Sequence, residues 1–298
     1  MRWNVTKFSG ALLRTILAVS AWPSSPIAAP APQTPANEFR EVDVALVLAI
    51  DMSGSIDYQE ADLQRRGIAD ALMNKEVIAA IQSGSLGRIG ISAVYFSSRQ
   101  YGVMSVPVNW MIINDAKSAE TFVKTLVAAP RGSARGTSIS DALELSWRML
   151  ERGPYHAVKQ VIDVSGDGVN NAGRRVLEVR DEILAKGVTI NALPIIDDQG
   201  PSDLDKYFEG CVIGGPASFV IPARGFADFG RALRRKLILE ISGLTPNEQP
   251  QAEPRIIRAA ATPARPNFAR PAPKVNPPYP AGCDFPMFGG FYGGGFRQ

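Results

Sequence analysis

Between residues 40 and 243, short apolar runs alternate with longer amphipathic stretches, and this alternation is the strongest limit on the fold. The run at 42–50 is almost entirely apolar, as expected for a strand buried on both faces of a parallel sheet. Strands are predicted at 42–50, 88–97, 103–110, 158–164, 188–196 and 219–222, and helices at 58–82, 116–128, 138–150, 174–186 and 226–241. The sequence therefore predicts an α/β fold with a doubly wound, mainly parallel six-stranded sheet and helices on both faces. Pro107 marks the strand at 103–110 as an antiparallel edge strand.

Proline positions set the limits of this domain. Of the 23 prolines, five lie in residues 22–37 and eleven in residues 245–298. Residues 1–31 have a basic start, an apolar stretch and then small residues, which predicts a signal peptide ending in an Ala/Pro-rich stub. The Pro/Gly-rich tail at 245–298 is predicted to be disordered. We therefore expect an exported chain, in the periplasm or outside the cell, with no transmembrane segment in the mature protein.

Charge and cysteine content exclude some functions and leave one question open. The formal net charge is +3, from 32 basic and 29 acidic residues, and no long basic run is present. A dedicated nucleic-acid binder is therefore not expected. The two cysteines, Cys211 and Cys283, could form a disulfide in an exported chain, and the sequence does not decide whether they do.

In a parallel α/β sheet, ligands bind at the carboxyl ends of the strands, so the loops there carry the candidate chemistry. The first strand ends in Asp51-Met52-Ser53-Gly54-Ser55, in which three oxygen-bearing side chains alternate. A carboxylate with two hydroxyls is a set of hard oxygen ligands that suits Mg²⁺ or Mn²⁺. Ser55 could instead be the N-cap of the following helix.

Two more loops are predicted to reach the same edge of the sheet. Thr137 precedes a helix and is either its N-cap or a hydroxyl ligand, with Ser138 as the competing cap. Asp167 follows the strand at 158–164. If that strand neighbours the first one, Asp51 and Asp167 face each other, and two close carboxylates require a cation unless one is protonated.

Other chemistry fits the sequence less well. The glycine pattern of a dinucleotide-binding turn does not follow the first strand. The single histidine, His156, is expected at the opposite end of the sheet from the loops, which argues against a serine hydrolase. Asp197 and Asp198 could add carboxylates to a hydrolytic metal centre, but their loop has the composition of a solvated turn. No catalytic residue is predicted, and we do not expect an enzyme.

The residues Asp51, Ser53, Ser55, Thr137 and Asp167 resemble, in order and spacing, the metal-ion-dependent adhesion site (MIDAS) of von Willebrand factor type A (VWA) domains. The Val-Ile-Gly-Gly-Pro stretch at 212–216 adds a resemblance to the bacterial exported DUF1194 branch of these proteins. The resemblance covers about residues 40–243. One departure is Gly166, which stands directly before Asp167 where the family often has a hydroxyl residue.

This resemblance implies a function. The serines and the threonine would bind one Mg²⁺ (or Mn²⁺), the carboxylates would bind it directly or through water, and the last position would accept a Glu or Asp of a protein partner. The chain would then be an exported, metal-dependent protein-binding module. Two alternatives are an envelope scaffolding protein with a vestigial metal site and a Mg²⁺-dependent hydrolase. Arg131 and Arg135 flank the threonine loop, either as a solvated face or as an attraction for an acidic partner.

Overall fold

The computed structural model describes residues 40–99, 104–132, 134–197 and 203–244, together with residues 1, 201, 246 and 283. The predicted signal peptide at 1–31, except Met1, and nearly all of the predicted tail at 245–298 lie outside these residues. Within them, no helix is both long and apolar enough to cross a membrane.

A six-stranded sheet forms the centre of the domain and confirms the predicted fold class. The strands are β1 (Arg40–Asp51), β2 (Ile89–Phe96), β3 (Met104–Ile113), β4 (Tyr155–Gly166), β5 (Thr189–Ile196) and β6 (Ala223–Arg224). Their order in the sheet is β3-β2-β1-β4-β5-β6, and every neighbouring pair is parallel except β2 with β3. The apolar run of β1 is explained by its central position, since both of its faces are covered.

The antiparallel edge strand was also predicted correctly. β3 pairs only with β2, and its register against β2 shifts between the Ala93–Val108 and Tyr95–Ser105 pairs, on either side of Pro107. Proline has no N–H to donate to a neighbouring strand, so it is tolerated at an edge and at an irregularity.

Helices cover both faces of the sheet. They are α1 (Tyr58–Leu72), α2 (Lys75–Gln82), α3 (Ala116–Ala128), α4 (Ile139–Arg152), α5 (Val176–Leu184), α6 (Leu204–Tyr207) and α7 (Phe229–Ser242). One core packs α1, α2, α3 and α7 against alternate residues of β1 such as Leu46 and Leu48. The second core packs α4, α5 and α6 against the intervening residues such as Val47 and Ala49.

One predicted helix is in fact two. The stretch at 58–82 breaks at Met73 and Asn74, where α1 ends and α2 begins. Asn74 has an extended backbone, and its side-chain oxygen accepts a hydrogen bond from the Glu76 N–H at 2.8 Å. Its capping role ends the continuous helix because an N-cap residue lies outside the helical conformation.

The C-terminal part of the domain differs most from the prediction. The predicted strand at 219–222 is wrong: Val220 makes only an isolated bridge to Ala192, and the two-residue β6 follows Pro222. α6 and the π-helical turn after it (Phe208–Val212) were not predicted, because elements this short carry no clear periodicity. α7 begins at Phe229, after a 3₁₀ turn at Phe226–Asp228.

The structure joins Cys211 and Cys283 in a disulfide across a sequence separation of 72 residues. Cys211 lies in the π-helical turn, and both cysteines are buried in the core on the α4–α6 side of the sheet. At least one residue of the tail segment is therefore held against the domain.

We expect Cys283→Ala to lower the free energy of unfolding by about 2–4 kcal/mol, because the disulfide restricts the unfolded chain over a long loop. Urea unfolding followed by circular dichroism measures this. Cys211→Ala is the matched control, and the double variant should lose no more than the larger single loss. Equal stability of oxidised wild type and Cys283→Ala would show that the disulfide does not support the fold.

Candidate metal centre

The pairing of β1 with β4 brings two of the three predicted loops together. The strands are parallel, and Ile50 lies opposite Ser165, so Asp51 and Asp167 leave the sheet at the same edge. The third loop joins them through an isolated bridge between Ser53 and Ala134. All three loops therefore converge, as the sequence predicted.

The side chains of the first loop form a connected set with Asp167. The Ser53 N–H donates a hydrogen bond to Asp51 Oδ1 at 2.7 Å. The hydroxyl oxygens of Ser53 and Ser55 are 3.0 Å apart, and the Ser55 hydroxyl donates to Asp167 Oδ1 at 3.0 Å. Four of the five predicted ligands are thus linked by direct contacts.

Thr137 lies beside this set, held there through its backbone. Its N–H donates to Asn171 Oδ1 at 2.7 Å, and its carbonyl accepts from the Asn171 N–H at 2.9 Å. The Thr137 Oγ1 atom is 3.5 Å from the point where a Cβ on Gly168 would lie, so it is close to the Asp167 loop. Asn171 was not singled out from the sequence, although it positions Thr137.

The two helix caps that competed with metal binding belong to other residues. Asp57, not Ser55, caps α1: its Oδ1 accepts from the Gln59 and Glu60 N–H groups, and the Glu60 carboxylate accepts from the Asp57 N–H. Ser138, not Thr137, caps α4 by accepting from the Asp141 N–H at 3.2 Å. The hydroxyls of Ser55 and Thr137 are therefore not needed as caps.

Gly166, which stands where the family often has a hydroxyl residue, has a steric role. A Cβ at this position would lie 2.8 Å from Asp51 Oδ2, closer than carbon and oxygen atoms normally approach. A hydroxyl residue here would require the Asp51 carboxylate to move. The glycine therefore permits the close approach of β4 to Asp51.

Electrostatics at the site favour a bound cation. Burial, and secondly the negative charge of Asp167, raise the pKa of the Asp51 carboxyl to about 8. Burial also raises the pKa of Asp167, with additional contributions from the charges of Asp197 and Glu60. Asp51 Oδ2 is buried and has no hydrogen-bond partner among the described residues. A divalent cation would offset both charges, so these residues fit the predicted ion.

A cleft of ≈ 570 Å³ opens onto this site. Its walls include Ser55, Thr137 and Asp167 of the predicted set, and also Glu60 and Asp197. Asp197 lies in a part-exposed loop, as expected, and the structure adds that this loop forms part of the cleft wall. Asp198 lies outside the described residues.

Other residues singled out from the sequence lie at the edge of the site or far from it. Arg131 is half-buried, donates to the Ile56 carbonyl and stacks over the Tyr58 ring at 4.8 Å. Of the two arginines that flank the threonine loop, Arg135 is therefore the solvent-exposed one. His156 is exposed at the beginning of β4, at the opposite edge of the sheet, as predicted. No group of three or more His, Cys, Asp or Glu side chains suited to a metal ion occurs in the described ranges. The candidate centre depends on hydroxyls instead.

The comparisons with known proteins agree with the fold. The pilus adhesin SpaC from Lactobacillus rhamnosus GG is 18% identical, with a TM-score of 0.51 over 67% of this chain and 31% of SpaC. Proximal thread matrix protein 1 from the mussel byssus is 18% identical, with a TM-score of 0.50 over 69% of this chain and 49% of that protein. The chain thus corresponds to less than half the length of either protein. At this identity the likeness shows only the fold, which is that of a VWA-like domain.

Sequence comparison gives the family. A family model described as "Protein of unknown function (DUF1194)" matches residues 41–245, well over half of the chain. The chain belongs to the DUF1194 family. No curated protein was found to match it in sequence.

We expect Asp57→Ala to lower the free energy of unfolding by about 1 kcal/mol in chelator, because it removes the cap of α1. The matched variant Ser55→Ala should keep the cap of α1, so any loss in this variant comes from the hydroxyl that donates to Asp167 Oδ1. Urea unfolding measures both losses, and amide hydrogen exchange reports the first turn of α1. Weaker protection of that turn in Ser55→Ala than in Asp57→Ala would show that the caps are assigned wrongly.

Proposed function

We propose that this protein is an exported binding module that holds one Mg²⁺ (or Mn²⁺) and uses it to capture an acidic side chain of a partner protein. The observation that carries the proposal is the buried pairing of Asp51 with Asp167 beside three hydroxyls, with Asp51 Oδ2 unpartnered among the described residues. A protein interior does not leave such a carboxylate without compensation.

Asp51, Ser53, Ser55, Thr137 and Asp167 would hold the ion. When bound, a divalent cation supplies positive charge and a coordination position for an anionic ligand. Asp51 is fixed by the Ser53 N–H, and Thr137 by Asn171, so little reorganisation of these groups is needed on binding. The cleft beside Asp167 gives a partner side chain access to the site.

We propose a binding role rather than an enzymatic one. The only histidine of the sequence is at the opposite edge of the sheet, so it cannot act as a base at this site. Export is supported by the disulfide, because disulfides persist in oxidising compartments and are rare in the cytosol. The adhesin and the byssal matrix protein, whose fold this chain shares, are consistent with a role outside the cytoplasm.

We expect saturating Mg²⁺, at 100 times its dissociation constant, to stabilise the protein by about 2.7 kcal/mol. Ser55→Ala should lose most of this stabilisation, because it removes a proposed ligand. Asp57 lines the same cleft, but its carboxylate is occupied in capping α1, so Asp57→Ala should retain most of the stabilisation by Mg²⁺. Calorimetry showing equal Mg²⁺ binding in wild type and Asp51→Ala would refute the assigned ligands.

Capture of the partner should depend on the ion. We expect immobilised protein to retain an envelope protein in Mg²⁺ or Mn²⁺, to release it in chelator, and to fail to retain it in the Thr137→Ala variant. Mutating the partner's Glu or Asp should have the same effect as chelator. Equal capture by wild type in chelator would favour a scaffolding protein whose metal site is vestigial. Phosphate release from model phosphoesters that is lost in Asp51→Ala would favour the hydrolase.

A further inference from the structure

A second group of charged side chains is buried beneath α7, apart from the candidate metal centre. Lys236 and Glu240 lie one turn apart on α7, and each is fully buried. Asp163 lies in β4 at 3% exposure, and Asn191 lies opposite it in β5. Neither the metal site nor the proposed binding function uses these residues.

The lysine lies between the two carboxylates. Lys236 Nζ is 2.7 Å from Asp163 Oδ1 and also donates to Glu240 Oε1. The Asn191 side-chain amide donates to the same Glu240 oxygen at 2.7 Å, which fixes that carboxylate. Neither oxygen of Asp163 accepts a well-directed hydrogen bond from any described residue, and neither does Glu240 Oε2.

Most of the side chains around this group are apolar. The Phe219 ring centre is 5.6 Å from Lys236 Nζ, and a cavity of only ≈ 10 Å³ next to Asp163 is lined mainly by Leu48, Ile50, Ile68, Phe229 and Leu233. A buried ion pair with unsatisfied oxygens is costly, because desolvation is not repaid by hydrogen bonds. Burial raises the pKa of Asp163 to about 7 against the opposing charge of Lys236. The neutral acid of Asp163 is therefore easier to reach than that of an exposed aspartate.

We propose that Lys236 and Asp163 react with each other to form an intramolecular isopeptide bond, with Glu240 moving the proton. An amine nucleophile, a carboxyl group and a second carboxylate are held together in a water-poor core, which is the arrangement that such a condensation requires. The site is a modification site internal to the fold and is independent of the metal.

The reaction needs no co-reactant. Proton transfer from the Lys236 ammonium to Asp163 leaves an amine and a carboxylic acid. The amine nitrogen attacks Cγ of Asp163, so the Nζ–Cγ bond forms. Glu240 takes a proton from the nitrogen and returns it to the departing hydroxyl. The Cγ–O bond breaks and one water molecule leaves, so the ammonium and carboxylate become an amide and water.

The bond would tie the last helix of the domain to the strand that precedes Asp167. β4 ends at Gly166, directly before that residue, and α7 is the last element before the tail segment. A covalent link between them would hold the end of β4, next to the candidate metal centre, to the last helix of the domain.

Mass spectrometry of the full chain tests the proposal directly. After reduction of the disulfide, the wild-type mass should be one water molecule lower than the mass expected for the same chain without the link. Trypsin should not cleave after Lys236, because an amide on its side chain removes the charge that trypsin recognises. The digest should therefore contain residues 160–174 joined to residues 236–255. A wild-type chain of full mass, cleaved after Lys236, would overturn the proposal and leave a non-covalent ion pair.

Variants test the role of each group. Lys236→Arg keeps the charge but should abolish the loss of water, and Glu240→Gln should leave Lys236 and Asp163 unlinked. Lys159→Arg is the matched control: Lys159 donates to the main-chain carbonyl of Glu240 at 3.2 Å, and arginine keeps its charge, so the link should form normally. A linked peptide in Glu240→Gln would refute the role of Glu240. If a variant does not fold, the mass of the wild-type chain still shows whether the bond forms.

Discussion

Asp51 and Asp167 leave two neighbouring parallel strands at the same edge of the sheet, so the sheet itself forces two carboxylates together in a buried position. Their mutual repulsion and desolvation are unfavourable, as the raised pKa of Asp51 shows. The hydroxyls of Ser53 and Ser55 lie next to the same carboxylates, with Thr137 close by. The arrangement costs stability in the free domain, and the proposed cation would restore that stability on binding.

The local sequence was sufficient to predict most of the strands of the sheet. Continuous apolar runs such as 42–50 occur where a strand is covered on both faces, and a proline in an alternating run identified the edge strand. The candidate ligands could also be predicted, because parallel strands must deliver their following loops to one edge. Neighbouring residues decided whether the candidate ligands act as helix caps: Asp57 and Ser138 take the caps, and so Ser55 and Thr137 do not.

The remaining features depend on contacts that no local pattern contains. The break at Asn74 was missed because the apolar spacing continues through it. The sequence identifies Asp197 as a turn residue, and only the fold shows that it lines the same cleft as Asp167. The pairing of Asp163 with Lys236 spans more than seventy residues, so no local pattern contains it. The Cys211–Cys283 disulfide could not be predicted from local sequence either, because Cys283 lies in a segment whose sequence has no helical or strand periodicity.

The position of the proposed ion tests the metal centre most directly. Crystals grown in Mn²⁺ and measured at the manganese absorption edge would locate it by anomalous scattering. We expect one peak between Asp51 and Asp167, within coordination distance of the Ser53, Ser55 and Thr137 hydroxyls. Crystals in saturating Mn²⁺ that show no peak there, with the Ser55 hydroxyl still donating to Asp167, would contradict the metal assignment.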